Sequence, residues 1–357
     1  MSGSRHFIPV APAPLPDGAA TAPFRIAEGD NHVKYGHPVF EGTAQRGDPH
    51  WTAEIITQTW YQAETGRIPI SGAGYGGPFA GEGFDELWLD MSEIVRPTRD
   101  GIHGREVIST EVDLGAGLTS LAFDGQGRLL TRLPSWITLP IPVIFDTLPL
   151  DLPTCGGLEA ALRAARRLDT LALVDPTALD TPDEHAARWL APRLRPGSFD
   201  ALGHAWKPRL IEIEADSPQV AESLSRWPEA PIVPRLLLSP VSPQSVLDLT
   251  RAGIRAVHLV ADEMARDTAG RTLLDAVHQV HTRLVDEALR DRVTLIVSGG
   301  IAAAEHVAKA IACGADLVAI DHVILAAWGC GLWADRGPCR AEREGVDPEW
   351  GRSGCLT

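Results

Sequence analysis

Residues 293–321 read VTLIVSGGIAAAEHVAKAIACGADLVAID, and the Gly299-Gly300 pair within them is the clearest place for chemistry in the chain. Residues 293–297 are an apolar, β-branched run that breaks at Ser298-Gly299-Gly300. Ala302 to Cys313 then carries helical spacing of its apolar residues, Gly314 closes that helix, and residues 317–320 read as the next buried strand. Strand, Gly-Gly turn, helix and strand bring backbone N–H groups to one helix N-terminus. A phosphate fits such a place, because small residues permit close approach and the helix dipole favours an anion. The plainer reading is a turn whose glycines only satisfy backbone geometry. Position favours the phosphate, since these are the last two strands of a βα series and (β/α)8 barrels bind phosphate after strands seven and eight.

A second set of residues is charged or polar and stands at the C-terminal ends of expected strands: Asp146, Asp175, Glu214, Asp216, Arg235, His258, Asp262, Ser298 and Asp321. In a barrel, chemistry gathers at that end. Arg235 lies within an apolar run, where an unpaired charge is costly, so it requires an anionic partner. That partner is either a ligand oxyanion or one of Glu212 and Glu214. His258, flanked by Val257 and Leu259, is either a satisfied interior histidine or a catalytic one. Arg235, Glu214 and His258 are the candidate catalytic residues.

The elements that must position these groups begin near Trp136. Residues 140–148, 170–175, 209–216, 231–238 and 256–262 read as strands, with helices at 156–168, 183–194, 218–227, 243–253 and 271–290. One further strand is expected within 195–206. Eight units at this spacing predict an α/β fold, a parallel (β/α)8 TIM-type barrel with a β-rich N-terminal extension. A doubly wound open sheet is the alternative, because strand order is invisible in sequence. The expected division is a 1–138 extension, a 139–329 barrel and a 330–357 tail containing cysteines. Within the extension, residues 1–16 read as a Pro-rich arm and 52–66 as a helix stopped at Gly66. A glycine-crowded stretch from Gly72 to Gly83 and a charged loop over 90–106 follow. FDGQGR (123–128) then predicts a hairpin turn between two alternating runs.

The whole chain has 357 residues, of which 44% are hydrophobic, enough for one large domain and an extension. No apolar run approaches the roughly 20 residues needed to cross a bilayer. The formal charge of −15 argues against nucleic acid and anionic membrane surfaces as partners. Five scattered cysteines do not form a disulfide framework. A cytoplasmic protein, forming homo-oligomers, is expected.

Four segments resemble the FMN-binding synthase domain of glutamate synthase and its stand-alone relatives. They are RLIEIEAD (209–216), VPRLLLSPVSPQSVLDLTRAGIRAVHLVAD (233–262), SGGIAAAEHVAKAIACGADLVAID (298–321) and AAWGC (326–330). The likeness covers about residues 140–330 and is strongest after 230; residues 90–110 are similar to the N-terminal region of glutamate-synthase-related proteins. The resemblance implies an FMN flavoprotein that reductively aminates 2-oxoglutarate to glutamate by hydride transfer. Ser298, Gly299 and Gly300 would bind the FMN phosphate, with Ala319, Ile320 and Asp321 behind them. Arg235 stands where the family has a lysine facing the flavin. Cys330 matches the first iron–sulfur ligand, but Cys339 and Cys355 depart from the family's Cys-x5-Cys-x4-Cys spacing. Flavin without a cluster is therefore expected.

The family's KPGEGGQLPG and GHDGGTGAS loops are absent, and no glutaminase domain is present. The resemblance then implies ammonia or electrons from a partner subunit. The alternatives are another FMN-barrel oxidoreductase, or a non-catalytic relative that binds a phosphorylated ligand or serves as an assembly subunit.

Overall fold

The computed structural model describes residues 49–52, 81–88, 110–117, 120–131, 133–148, 157–178, 184–195, 202, 206–214 and 219–327, with scattered residues between 55 and 66. Two short antiparallel strands come first, β1 (Val112–Leu114) and β2 (Ile137–Leu139). Eight parallel strands follow: β3 (Val143–Phe145), β4 (Ala172–Val174), β5 (Leu190–Leu194), β6 (Ile211–Glu214), β7 (Ile232–Leu237), β8 (Ala256–Val260), β9 (Thr294–Ser298) and β10 (Leu317–Ile320). They close into a barrel in chain order, with β10 pairing β3. Closure removes the open-sheet alternative.

Among the described residues seven helices clothe the barrel: α1 (Gly157–Leu168), α2 (Glu184–Ala187), α3 (Gln219–Arg226), α4 (Ser242–Arg251), α5 (Leu273–Asp286), α6 (Ala304–Ala312) and α7 (His322–Ala327). Side chains along each strand alternate between them and the interior. Val257, Leu259, Leu295 and Val297 face outward, into the cluster that includes Val246, Val277 and Leu284 of the helices. Ala256, Ile296 and Leu317 face inward and pack with Ile144, Leu173 and Val233. Leu114, Ile137 and Leu139 join that same inner cluster, so β1 and β2 form an apolar floor at the N-terminal end. The barrel is therefore sealed below, and a ligand must enter from the other end.

One expected helix is corrected. The sequence pattern predicts a single helix over 183–194, but α2 spans only four residues and β5 follows at Leu190–Leu194. Pro192 has no N–H to continue a helical ladder. Leu190 and Leu194 instead pack outward while Ala191 packs inward, a period of two. The strand expected within 195–206 is thus found earlier, and Leu202 and Trp206 are buried outside any strand. The FDGQGR turn is present: Phe123 and Leu129 form an antiparallel bridge, and Asp124 Oδ1 accepts from the N–H groups of Gln126 and Arg128.

The β9–α6 turn depends on its glycines. Gly299 has φ of 97° and Gly300 of 65°, a region that side chains disfavour. A Cβ on Gly299 would lie 2.3 Å from the Ala261 carbonyl oxygen, and one on Gly300 would lie 2.4 Å from the Ala265 nitrogen. Gly299→Ala should therefore lower the unfolding free energy by more than about 2 kcal/mol, measured by urea denaturation. A loss below about 0.5 kcal/mol, within the range of an ordinary surface change, would show that the 261–265 loop is not packed against this turn.

Candidate active site at the barrel mouth

Above the apolar interior the inward positions turn charged. Glu212 on β6, Arg235 on β7 and His258 on β8 each stand between outward-facing neighbours, and Asp146 follows β3 directly. Arg235 reaches across the barrel and meets Asp146 with both ends of its fork, Nη1 to Oδ1 at 2.9 Å and Nη2 to Oδ2 at 3.0 Å. Nη1 also donates to Glu212 Oε1 at 3.0 Å. Both carboxylates are 1% exposed. Burial alone would raise the Asp146 carboxyl, but Arg235 and His258 beside it and the Thr147 N–H hold it at about 2. Glu212 is likewise lowered: burial opposes ionisation, and Arg235 and His258 outweigh it. Burial would depress Arg235, yet the two carboxylates raise it above its ordinary value.

A chain of hydrogen bonds continues from this pair. His258 Nδ1 lies 2.6 Å from Glu212 Oε2, and Nε2 lies 2.9 Å from Ser298 Oγ. An ionised carboxylate only accepts, so Nδ1 carries the hydrogen. The other ring nitrogen, Nε2, is joined to the Ser298 hydroxyl. Ser298 and His258 are both fully buried, so Ser298 Oγ ties the Gly-Gly turn to the charged ring. Asp146, Glu212 and His258 place ligand atoms within 4.8 Å of one another, a grouping that could hold a metal ion. The Arg235 guanidinium already lies among them, 3.1 Å from His258 Nδ1, and supplies their positive charge.

The ring's outer edge is an Arg193–Glu214 pair at 2.7 Å, with the Glu214 side chain 28% exposed. Asp175 is engaged by Thr177, and Asp262 accepts from the N–H groups of Met264 and Arg266. Asp321 Oδ1 lies 2.9 Å from His322 Nδ1. Burial would lower His322, but Asp321 and Glu263 raise it. Of the expected catalytic groups, Arg235 and His258 are brought together, and Glu214 is linked to them through Arg193 and Glu212. The partner anticipated for Arg235 was Glu212 or Glu214; Asp146 takes the bidentate place. Arg193 was missed because its segment was read as helix.

At the Gly-Gly turn, the backbone N–H groups of Gly299, Gly300 and Ile301 have no hydrogen-bond partner among the described residues. Those residues are buried, and Ala303, the N-cap of α6, offers no side-chain cap. His50 and Trp51 cover the turn: His50 Nε2 lies 2.7 Å from the Gly300 carbonyl oxygen, and Trp51 Nε1 donates to that of Glu263. Trp51 is fully buried, packed with Ala302, Met264 and Val323. His306 stacks on Phe84 at 3.9 Å. Burial, with His50 and Lys309 nearby, pushes His306 down to about 3, so it is neutral and receives the Ala302 N–H on Nδ1. Cys330, Cys339 and Cys355 lie outside the described residues.

Fold and mouth together define a parallel (β/α)8 barrel with a polar, ion-paired C-terminal end. A family model described as the conserved region in glutamate synthase matches residues 259–336. An archaeal-type glutamate synthase (NADPH) of Dehalococcoides mccartyi is 24% identical, across 80% of this chain and 68% of its own length. An archaeal glutamate synthase (NADPH) of Methanocaldococcus jannaschii is 25% identical, across 80% and 69%. The chain thus contains a glutamate synthase-related domain and spans about two thirds of the length of the curated relatives it matches. Among solved structures, a flavocytochrome b2 variant with pyruvate bound is 13% identical over 66% of this chain and 65% of that one, with a TM-score of 0.45.

No helix among the described residues is long and apolar enough to cross a membrane.

Two outcomes follow from the buried pair. Arg235→Met strands two buried carboxylates and should cost about 3–5 kcal/mol of stability; Arg235→Met with Asp146→Asn should recover part of it in urea titrations. No loss in the single variant would mean that the pair is absent in solution. For pH, Asp146 is held at about 2 against an ordinary 3.8. Its contribution, on the order of 2 kcal/mol, is complete above that ordinary value and disappears as pH falls toward about 2. Asp146→Asn should flatten that part of the stability curve, and an unchanged curve would show that Asp146 titrates normally.

Proposed function

We propose that the chain is an FMN-dependent oxidoreductase that reductively aminates a 2-oxo acid, 2-oxoglutarate to glutamate. The observation that carries this reading is the set of unpartnered N–H groups at Gly299, Gly300 and Ile301, where an anion would complete the helix terminus. The name of the archaeal and archaeal-type relatives, glutamate synthase (NADPH), supports the substrate. The residues fit a flavin phosphate in backbone terms: the turn is tight and buried, and its two glycines carry no side chain of their own.

In this reading Gly299, Gly300 and Ile301 bind the phosphate, while Ser298, Ala319, Ile320 and Asp321 form the strand ends beneath it. The Ser298 hydroxyl serves the phosphate only indirectly, by fixing the turn against His258. Bound and reduced, FMN would supply a hydride to the imine formed from the 2-oxo acid and ammonia. Arg235 and His258 set the charge beneath the reacting centre, with Arg235 held by carboxylates and so contributing a fixed guanidinium. Glu214, the most accessible carboxylate of the ring, accepts hydrogen bonds from ammonia or the imine nitrogen. Ammonia comes from a partner protein or from solution, and the electrons that reduce the flavin come from an electron-donating partner subunit.

Substitution of Gly300 cannot isolate the phosphate, because any Cβ there meets the Ala265 backbone. The cofactor's own phosphate can be removed instead. FMN should bind at least about a hundredfold more tightly than riboflavin, as expected when several charge-assisted hydrogen bonds are lost together. Photoreduced, flavin-loaded protein should be reoxidised by 2-oxoglutarate plus ammonium faster than by either alone. Equal affinity for FMN and riboflavin, or a protein that takes up neither, overturns the cofactor assignment. Reoxidation indifferent to ammonium overturns the amination.

A further inference from the structure

Arg193 differs from Arg235 in how it is held. Its Nη2 donates to Glu214 Oε1 at 2.7 Å, and its Nε lies 3.6 Å from Glu212 Oε1, buried and without a hydrogen bond. Glu212 has already committed both oxygens, Oε1 to Arg235 and Oε2 to His258. Nη1 of Arg193 has no hydrogen-bond partner among the described residues and is not among the buried, unsatisfied atoms. One guanidinium at the barrel mouth is thus bonded through one nitrogen, to the carboxylate of the ring that is most open to solvent. Asp146 and Glu212 cannot leave Arg235 without stranding a buried charge, whereas Glu214 can turn outward and be hydrated at little cost.

We infer that Arg193 is the anchor for a carboxylate of the substrate, and that Glu214 holds its place until the substrate arrives. An incoming carboxylate takes the Nη1–Nη2 edge of Arg193 in a bidentate contact, and Glu214 is released to the solvent edge of the mouth. The exchange keeps Arg193 paired throughout, because one carboxylate replaces another on the same guanidinium. It rests on the reading of this mouth as a 2-oxo acid site and assigns the class of group that the site recognises, a small carboxylate anion.

The test is calorimetric titration of the full chain with 2-oxoglutarate, with flavin content measured separately by absorbance. Arg193→Gln should weaken binding by at least about tenfold, the loss of a charge-assisted contact, and Arg193→Lys by less. Glu214→Gln should tighten binding, since the amide competes poorly for the guanidinium; a purely structural pair would give no gain. Arg195→Gln removes a neighbouring charge, 51% exposed beside Asp175, and should change affinity less than about threefold. Unchanged affinity in Arg193→Gln overturns the inference, as does an equal loss in Arg195→Gln or a wild-type protein that binds no 2-oxoglutarate. A protein that takes up no FMN but shows Arg193-dependent binding would end the flavin reading and leave this one standing.

Discussion

The upper half of this barrel depends on one guanidinium. Arg235 is raised into an interior that is otherwise closed by leucine, isoleucine and valine, and it can remain there only because Asp146 and Glu212 meet it. Neither carboxylate could be ionised at 1% exposure without the cation, and the cation could not be buried without them. Each strand that contributes to this arrangement must therefore hold its register to within one residue. A slip in β7 would turn Arg235 into the outer hydrophobic layer and Leu236 into the ring. The ion pair specifies alignment at the mouth while the apolar layers beneath provide most of the burial.

That division explains what could be read from sequence. In RLIEIEAD the alternation of Ile211, Glu212, Ile213 and Glu214 places both glutamates on one face, and Val257-His258-Leu259 places the histidine on the same side of β8. The demand of Arg235 for an anion followed from its apolar setting. Its bidentate partner did not, because Asp146 is 89 residues away and becomes its neighbour only when β10 closes against β3. β5 was hidden for a local reason. Its five residues contain a proline and an inward arginine, a pattern that resembles an amphipathic helix end as closely as it does a strand.

The Gly-Gly turn was legible as a motif but not in its second cause. Helix-terminus chemistry explains why small residues suit the position. The structure adds that the 261–265 loop presses on both glycines from β8, with Ala265 itself in the left-handed region at φ of 57°. A non-glycine residue in that conformation is sustained only where its surroundings fix it. His50 and Trp51 close the other side, although nothing in the local sequence around residue 50 indicates a contact 250 positions away. The turn is thus clamped by two remote segments, and neither clamp satisfies its N–H groups.

Two arginines at one mouth create a problem that their different partners resolve. A site that binds an anion needs a cation whose charge is not already spent, yet a free guanidinium in a half-buried ring would be unstable. Arg235 cannot serve, because releasing either carboxylate leaves it ionised and dry. Arg193 can, because its carboxylate lies at the solvent edge and regains hydration when displaced. The cost of keeping Arg193 ready is one partly buried ion pair at the rim of the ring, 16% and 28% exposed, beneath which the Arg235 pairs stay intact. Its loosening would therefore leave the fold nearly unchanged, and the inner pair would hold the barrel together while the outer one changes partners.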